Sequence, residues 1–297
     1  MSGMNWLIKQ ITIEEDVYPK LLTHIADPPQ VLYCQGNLDL LNKICFGVVG
    51  TRRLTSYGKE ITQNIVAGLV QAGFVIVSGL ALGIDSVAHQ TTLDCEGKTI
   101  AVLGTPLNQI YPPENSKLAQ SILNNDGLII SEYPSGYPGL RINFAIRDRL
   151  ISGLSKGVLV IEAPEKSGAL ITAQCAIDQN RDVFAIPGNI FSSNSIGPNN
   201  LIKKGAKLVS SAQDILDEYG ENLKLFDPPA GGLKPALSTK DPVQKIILGI
   251  LDKNGTVFMD DIIRESEKET PKVIAALSVL EIRGIIKNMG NGKYRKT

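Results

Sequence analysis

The chain has 297 residues, of which 30 are Lys or Arg and 30 are Asp or Glu, so its formal net charge at pH 7 is zero. This length is sufficient for one large and one small domain. A neutral chain has no overall field that would draw it to a nucleic acid or a membrane, so any site for a polyanion must be a local cluster of cations.

The chain has four widely spaced cysteines without a C-x-x-C pair, and two histidines, His24 and His89. Such cysteines indicate reduced, mostly buried thiols in a cytoplasmic protein. Two histidines make a zinc site improbable, so we expect no metal. No apolar run approaches the ~20 residues that cross a bilayer, and no secretory signal pattern is present, so we expect no membrane insertion. The cysteines are Cys34, Cys45, Cys95 and Cys175.

Residues 1–42 contain the pair Pro28-Pro29. Proline restricts its own backbone and that of the preceding residue, which favours a turn and an extended chain here. We interpret residues 1–42 as an N-terminal lead-in segment that is too short for a domain of its own.

From Lys43 to about Tyr219, apolar runs of strand length alternate with segments of helix length. Near-continuous apolar strands that alternate with helices are typical of a parallel sheet covered on both faces. Residues 43–222 are therefore predicted to form a doubly wound, Rossmann-like α/β domain with a mostly parallel sheet of about seven strands. The apolar runs are ICFGVVG, FVIVSG, TIAVLG, LIISEYP, GVLVIEAP, DVFAIPG and AKLVSS.

Residues 223–240 are rich in Pro, Gly and Ser, which predicts a linker. Residues 241–297 follow with three helical patterns and a hairpin that has Asn291-Gly292 at or beside its turn. This order predicts a small winged-helix-like domain. Winged helices often bind duplex DNA, but many mediate protein contacts, and the third helical pattern has mixed charges, so both roles stay open. The helical patterns are PVQKIILGILDKNG, VFMDDIIRES and TPKVIAALSVLEIRG.

Small residues follow most of the predicted strands, such as Gly50 after the first, Ser78 and Gly79 after the second, and Gly104 after the third. Ligands of an open parallel sheet bind beyond the carboxyl ends of its strands. We expect these small residues to leave room for a ligand close to the backbone.

The glycine turn after the first strand differs from the usual nucleotide-binding patterns. A dinucleotide site needs G-x-G-x-x-G and an acid after the second strand, but the chain has Gly47-x-x-Gly50 and Ser78-Gly79 there. The Walker motif G-x-x-x-x-G-K-[ST] is also missing from the sequence. We therefore expect no nucleotide cofactor.

Cations follow three of the predicted strands. Arg52 and Arg53 lie in the first turn, three arginines surround Phe144, and Lys166 precedes a helix that starts near Ser167. Guanidinium groups and helix N-terminal amides bind phosphate oxygens. Several cationic loops along one edge fit a nucleic-acid strand better than a mononucleotide, and Phe144 could stack on an unpaired base. The three arginines are Arg141, Arg147 and Arg149.

Structural interpretations of these side chains remain open at this point. Phe144 could be a core aromatic residue, and Arg147 could form a structural ion pair with Asp148 or Glu162. One of the two arginines in the first turn could be an ordinary surface charge.

Asp85 and His89 have the i, i+4 spacing of one helical face, which would suit a general base and its partner. Because no nucleophile lies nearby in the sequence, a structural pair is favoured. Ser78, Ser131 and Ser167 lack the G-x-S-x-G elbow of serine hydrolases. We expect no catalytic residues.

Five stretches resemble a known family, the DNA-processing protein A (DprA/Smf) family, and together they cover most of residues 30–219. The resemblance implies a cytoplasmic homodimer that binds single-stranded DNA during natural transformation, in competent cells. It also implies DNA recombination without enzymatic turnover, in which single-strand-binding protein is displaced and the RecA recombinase is loaded. The stretches are SGLALGIDSVAH, TIAVLGTPLNQIYPPEN, FAIRDRLISGLS, EAPEKSGALITA and VFAIPGNIFSSNSIGPNNLIKKGA.

The resemblance assigns phosphate-binding roles to several positions. The family's G-[ST]-R turn falls on Gly50 to Arg52, its R-N-R element on Arg147 to Arg149, and its K-S-G-[SA] turn on Lys166 to Ala169. Its basic and aromatic pair falls on Arg141 and Phe144. The candidate DNA-binding residues are Gly50, Thr51, Arg52, Arg53, Ser78, Arg141, Phe144, Arg147, Arg149, Lys166, Ser167 and Gly168.

The chain also departs from the family pattern. Asp148 replaces the central Asn of R-N-R and adds a negative charge, Ala145 replaces a proline, and Pro106 replaces a glycine. By comparison with the family pattern, we expect the N-terminal helical domain of many members to be missing or reduced.

Two other functions have weaker support from the sequence. A phosphoribohydrolase-like enzyme that processes nucleotides would need a Glu where Thr172 or Ala173 stands. An interaction scaffold would bind no nucleic acid.

Overall fold

The computed structural model describes residues 7–220, 241–282, 285–290 and 292–296. The chain divides into two compact units, Met1–Leu233 and Lys234–Thr297. The linker predicted over 223–240 and Asn291 of the predicted hairpin turn lie outside the described residues. The predicted division at residues 222 and 240 therefore stays a prediction.

The first unit is built on a nine-stranded sheet whose spatial order is β1-β2-β6-β5-β4-β3-β7-β8-β9. The seven strands predicted from the sequence all form and run parallel, so the doubly wound mostly parallel sheet is confirmed. The strands are β1 Lys9–Thr12, β2 Val31–Gly36, β3 Cys45–Val49, β4 Val75–Ser78, β5 Thr99–Leu103, β6 Leu128–Ser131, β7 Gly157–Val160, β8 Asp182–Ala185 and β9 Lys207–Leu208.

Helices cover both faces of this sheet because successive strand residues alternate between two cores. Phe46 and Val48 of β3 join a core with α2, α3 and α8, whereas Cys45 and Val49 join a core with α1, α5 and α6. The helices are α1 Lys20–Thr23, α2 Ser56–Gln71, α3 Ile84–Asp94, α4 Ser116–Asn124, α5 Ile142–Leu154, α6 Gly168–Asp178, α7 Ile196–Lys203 and α8 Ala212–Tyr219.

The segment before Lys43 belongs to this sheet. Strand β2 pairs antiparallel with β6, and β1 pairs antiparallel with β2. Leu22 packs against α5 over Gly153, where a Cβ atom would lie only 2.7 Å from the leucine. The predicted lead-in therefore adds two antiparallel strands to one edge of the sheet.

The strand order reverses direction beside β3, which places a crevice at the carboxyl ends of β3 and β7. From β3 the chain builds β4, β5 and β6 on one side, and then β7, β8 and β9 on the other. The loops that follow β3 and β7 diverge at such a point and leave the usual ligand site of open α/β sheets.

The second unit has three helices and a small antiparallel sheet of order β10-β12-β11, the winged-helix arrangement that was predicted. The predicted second helix is two residues too long at its start, because Val257 and Phe258 pair with β12 as a strand. The elements are α9 Pro242–Asn254, β10 Val257–Phe258, α10 Met259–Ser266, α11 Thr270–Ile282, β11 Ile286–Asn288 and β12 Lys293–Lys296.

The four cysteines are free thiols, two of them buried and two half-buried. Burial raises the pKa of Cys34 and of Cys45 to about 12, so both thiols stay protonated at neutral pH. None of the helices within the described residues is long and apolar enough to cross a membrane.

Candidate functional site

A cavity of about 480 Å³ lies at the crevice beside β3. The loops after β3 and β7 line it together with the N-terminal ends of α5 and α6. Ten of the twelve residues predicted to bind DNA line this cavity, namely Gly50, Thr51, Arg52, Arg53, Arg141, Phe144, Arg147, Lys166, Ser167 and Gly168.

Glu162 fixes the turn that follows β3. Its carbonyl oxygen accepts a hydrogen bond from the Thr51 amide at 2.6 Å. Its carboxylate accepts from the amide and the hydroxyl of Thr55 at 2.9 and 2.6 Å, and it fills the space beside Gly58. The carboxylate thus neutralises the N-terminus of α2, so an incoming anion has no place there. Sequence reasoning missed this role, because the two partners lie far apart along the chain.

The N-terminus of α6 is open instead. The hydroxyl of Ser167 caps the helix by accepting from the Ala169 amide at 3.3 Å. Apart from the neighbouring residues of its own helix, the one described atom within 4 Å of a Cβ added at Gly168 is a carboxylate oxygen of Asp148, at 3.8 Å. This end of the helix can therefore offer backbone amides to an anion in the cavity.

The other glycines along this edge do not leave room for a ligand, which corrects the expectation from the sequence. A Cβ at Gly79 would lie 2.7 Å from the guanidinium of Arg147, and one at Gly104 would lie 2.9 Å from the ring of Phe144. The space beside Gly50 is filled by Ile84. These glycines are needed because side chains of the protein itself pack against the backbone.

Arg147 is a structural residue of the cavity wall. It is 5% exposed, and its Nε donates to Asp148 at 3.1 Å. One terminal nitrogen donates to the Gly79 carbonyl at 2.7 Å and to the Val102 carbonyl. Of the two ion-pair partners that the sequence offered for Arg147, the structure has Asp148, because the Glu162 carboxylate binds Thr55 instead. With these donors occupied, Arg147 holds α5 against β4 and β5 and adds charge to the cavity.

Two predicted residues lie outside the cavity lining. Arg149 donates to both oxygens of Glu132 at 2.8 and 3.0 Å and pairs with Asp27 at 3.4 Å. The Ser78 hydroxyl is buried and donates to the Val48 carbonyl at 2.6 Å. Both side chains bind to the fold itself, so their predicted contact with DNA has no support from their position.

Asp85 and His89 have structural partners, but they are not paired with each other. Asp85 accepts from the Gly79 amide at 3.0 Å, and a ring nitrogen of His89 lies 2.7 Å from the Thr99 hydroxyl. Burial lowers the pKa of His89 to about 3, so its ring is neutral at physiological pH.

Four exposed cations give the cavity its charge: Arg52, Arg53, Arg141 and Lys166. None of the four forms an ion pair with an acidic side chain in the described parts of the chain. The acids that line the cavity are Asp85 and Asp148, both buried. The exposed surface of the cavity is therefore positive in a chain whose net charge is zero.

An aromatic pair borders the cavity, and sequence reasoning found only one member of it. Phe144 is half-buried over Gly104, and its ring centroid lies 5.2 Å from that of Tyr111, which is 47% exposed. Tyr111 lies within a stretch that carries the family resemblance, but nothing in the sequence links it to Phe144.

Asp148 makes the charge of this cavity depend on pH. Burial raises the pKa of its carboxyl to about 6, against the opposing effect of the Arg147 guanidinium. At pH 7 the group is mostly ionised and repels phosphate, whereas below about pH 6 it is mostly neutral. A phosphate bound in the cavity would raise the pKa of Asp148 further, so its binding would take up a proton and would strengthen as the pH falls.

If the cavity binds the phosphates of a single DNA strand, replacing Asp148 by asparagine should strengthen binding of a poly-dT strand at pH 7 by about fivefold and reduce the pH dependence of binding between about pH 5 and 7. Asparagine still accepts the bond from Arg147. Titrations with a labelled oligonucleotide at a series of pH values measure this. Glu165→Gln, at an exposed acid outside the cavity lining, serves as the control and should bind like the wild type. A pH dependence in Asp148→Asn as large as that of the wild type would contradict the assignment.

Comparisons with known proteins point to one family. Residues 9–220 match the family model described as DNA recombination-mediator protein A. The chain is similar to protein Smf of Escherichia coli strain K12, with 38% identity over 301 residues that cover 99% of this chain and 80% of the relative.

Two solved structures also resemble it. DNA processing protein A from Streptococcus pneumoniae has a TM-score of 0.68 and 45% identity, over 73% of this chain and 75% of that chain. DNA processing protein A from Helicobacter pylori, a structure concerned with the single-stranded DNA binding mode of that protein, has a TM-score of 0.65 and 34% identity, over 74% of this chain and 98% of that chain.

Proposed function

Because the chain belongs to the DNA recombination-mediator protein A family, we propose that it is a single-stranded DNA-binding recombination mediator of natural transformation. It protects incoming DNA, displaces single-strand-binding protein and loads the RecA recombinase. It acts in the cytoplasm as a homodimer and without catalytic turnover. The relative from Helicobacter pylori, whose structure concerns single-stranded DNA binding, supports the choice of ligand.

One observation supports the ligand assignment most strongly. Four exposed cations, which have no acidic partner within the described ranges, surround the open N-terminus of α6 in a single cavity at the reversal of strand order. A mononucleotide carries too few phosphates to use cations contributed by three separate loops. Successive phosphates of one strand would contact Arg52, Arg141 and Lys166 in turn, and such contacts position the strand without reading its sequence.

The mediator role is tested by RecA exchange on coated DNA. Circular single-stranded DNA is first covered with single-strand-binding protein, and RecA is added with or without this protein. We expect the wild-type protein to speed the onset of RecA-dependent ATP hydrolysis, and Arg52→Ala, which should bind DNA weakly, to do so much less. Normal binding of the wild-type protein to DNA without faster RecA assembly would contradict the mediator role and leave the ligand assignment intact.

Stacking of an unpaired base should extend from Phe144 to Tyr111, since the exposed ring of Tyr111 continues the aromatic surface. Replacing Tyr111 by alanine should weaken binding of a poly-dT strand by about fivefold or more, because stacking on an aromatic ring is worth roughly 1–3 kcal/mol per base. Fluorescence anisotropy with labelled strands measures the loss. Tyr111→Phe should retain affinity, and a strand with abasic sites should bind Tyr111→Ala and wild type alike. An equal loss on the abasic strand would contradict stacking.

Nucleotide hydrolysis, the alternative function, gains no support from the cavity. Thr172, which lines it, occupies one of the two positions where a catalytic Glu would be required. Release of adenine from AMP by the purified protein would nevertheless establish that activity.

A further inference from the structure

The second unit carries a group of cations of its own. Residues 285–297 contain four basic residues and no acidic residue, whereas residues 241–282 contain eight acidic and five basic residues. The positive charge of this unit is thus concentrated in its C-terminal hairpin, which forms two of the three strands of its sheet.

Three of these cations share one face of the sheet with an aromatic residue. Lys287 and Arg295 are partners across β11 and β12, and Lys293 is the partner of Phe258 across β10 and β12. Partner positions, and positions two apart on one strand, lie on the same face. All four side chains are exposed, and we call this group, Phe258, Lys287, Lys293 and Arg295, the outer sheet face.

The intervening positions face the other way. Ile286 belongs to the core of this unit, and Tyr294 packs against that core. Lys296, the fourth cation of the hairpin, also lies on that side and pairs with Asp252 of α9 at 2.7 Å. Because successive side chains of β12 point to opposite faces of the sheet, Lys296, whose charge is neutralised by Asp252, lies on the other side from the outer sheet face.

The cations of the outer sheet face are not neutralised by the protein. None of the acidic side chains in the described ranges pairs with Lys287, Lys293 or Arg295, and the ammonium of Lys293 lies 4.6 Å from the ring centroid of Phe258. On the helices, by contrast, Lys272 pairs with Glu269 at 3.0 Å. The outer sheet face thus carries cations that no described acidic side chain neutralises, although the helices of the same unit are rich in acidic residues. This arrangement indicates an anionic ligand at the sheet.

We propose that the outer sheet face binds the phosphate backbone of duplex DNA. Lys293 and Arg295 are about 7 Å apart along an extended strand, so both can contact the closely spaced phosphates of one duplex. Base reading is not part of the proposal, because phosphate contacts carry no sequence information. This site goes beyond the single-stranded DNA site of the first unit and does not depend on it.

The test uses the full chain with Lys287→Glu and Arg295→Glu combined. At low salt, affinity for a blunt duplex should fall by about tenfold or more, because charge reversal removes two phosphate contacts, while affinity for poly-dT should stay within about twofold. The matched control, Lys253→Glu with Lys268→Glu, makes the same charge change at exposed positions of the helical part and should bind duplex like the wild type. Arg52→Ala should show the opposite pattern, a loss for poly-dT and little change for duplex.

Three results would overturn this inference: wild-type protein that does not bind duplex, a doubly substituted hairpin that binds duplex normally, and equal losses for duplex and poly-dT. Retained duplex binding together with the loss of an acidic peptide ligand would assign the face to a protein partner instead. Failure of the single-stranded DNA assignment would appear separately, as wild-type protein that binds duplex but not poly-dT.

Discussion

Replacing Arg147 by alanine should lower the free energy of unfolding by about 3–5 kcal/mol, the range for removing one partner of a buried ion pair. The change leaves the buried carboxylate of Asp148 without its guanidinium partner and removes the donor to the Gly79 and Val102 carbonyls. It also empties the space that the guanidinium fills beside Gly79. Replacement by lysine should restore only part of the lost free energy of unfolding, because one ammonium group cannot make all the hydrogen bonds of the planar guanidinium group.

Urea unfolding of both proteins measures this difference, and its pH dependence adds a second readout. The pKa of Asp148 is already raised by burial, and loss of Arg147 raises it further. Its ionised form therefore destabilises the variant at neutral pH, and protonation relieves that cost as the pH falls, so the deficit should shrink from pH 7 toward about pH 5. Arg52→Ala, at an exposed arginine of the same cavity, is the control and should unfold like the wild type. Wild-type stability of Arg147→Ala would show that the buried contacts contribute little.

Replacing Arg52 by alanine should weaken binding of single-stranded DNA by about tenfold or more at moderate salt, whatever the base sequence. Its exposed guanidinium has no ion-pair partner among the described residues, so its donors are available to a phosphate, and bonds between charged partners contribute about 1.5–3 kcal/mol. Anisotropy titrations with poly-dT and a mixed-sequence strand measure the effect. Lys117→Ala, which removes one positive charge from the exposed side of α4, should bind like the wild type. Equal affinities of Arg52→Ala and the wild type would contradict the role of this turn.

Much of the fold is predictable from the sequence because the signal is local. Six of the seven parallel strands lie in apolar runs between helical segments, and Gly73 has the positive φ of +88° that ends α2. The seventh strand, β9, has only two residues, and both are exposed. Strands β1 and β2 give no such signal. They lie in a segment without that alternation. Their place is set by the pairing of β2 with β6, which is distant in the sequence, and by the pairing of β1 with β2. The family resemblance rests on motifs of the sheet edge and is confirmed by the comparisons.

The candidate site is predictable in its residues but less so in their roles. Gly50, Arg52 and Lys166 come together because the carboxyl ends of parallel strands meet at one edge. Whether an arginine is available to a ligand depends on partners that the sequence does not pair. Arg149 is engaged by Glu132, and Arg147 by Asp148 and two carbonyl groups. Long-range contacts of this kind engage side chains that the sequence presents as free, and the predicted DNA contacts of these two arginines stay predictions.

The salt dependence of DNA binding tests the central claim most directly. Each phosphate contact on a single strand contributes about 0.7 to the slope of log affinity against log salt concentration. If Arg52 and Lys166 each contact a phosphate, replacing both by alanine should reduce the magnitude of the slope for poly-dT by about 1.4 relative to the wild type. A double variant with the slope and affinity of the wild-type protein would show that the strand binds elsewhere.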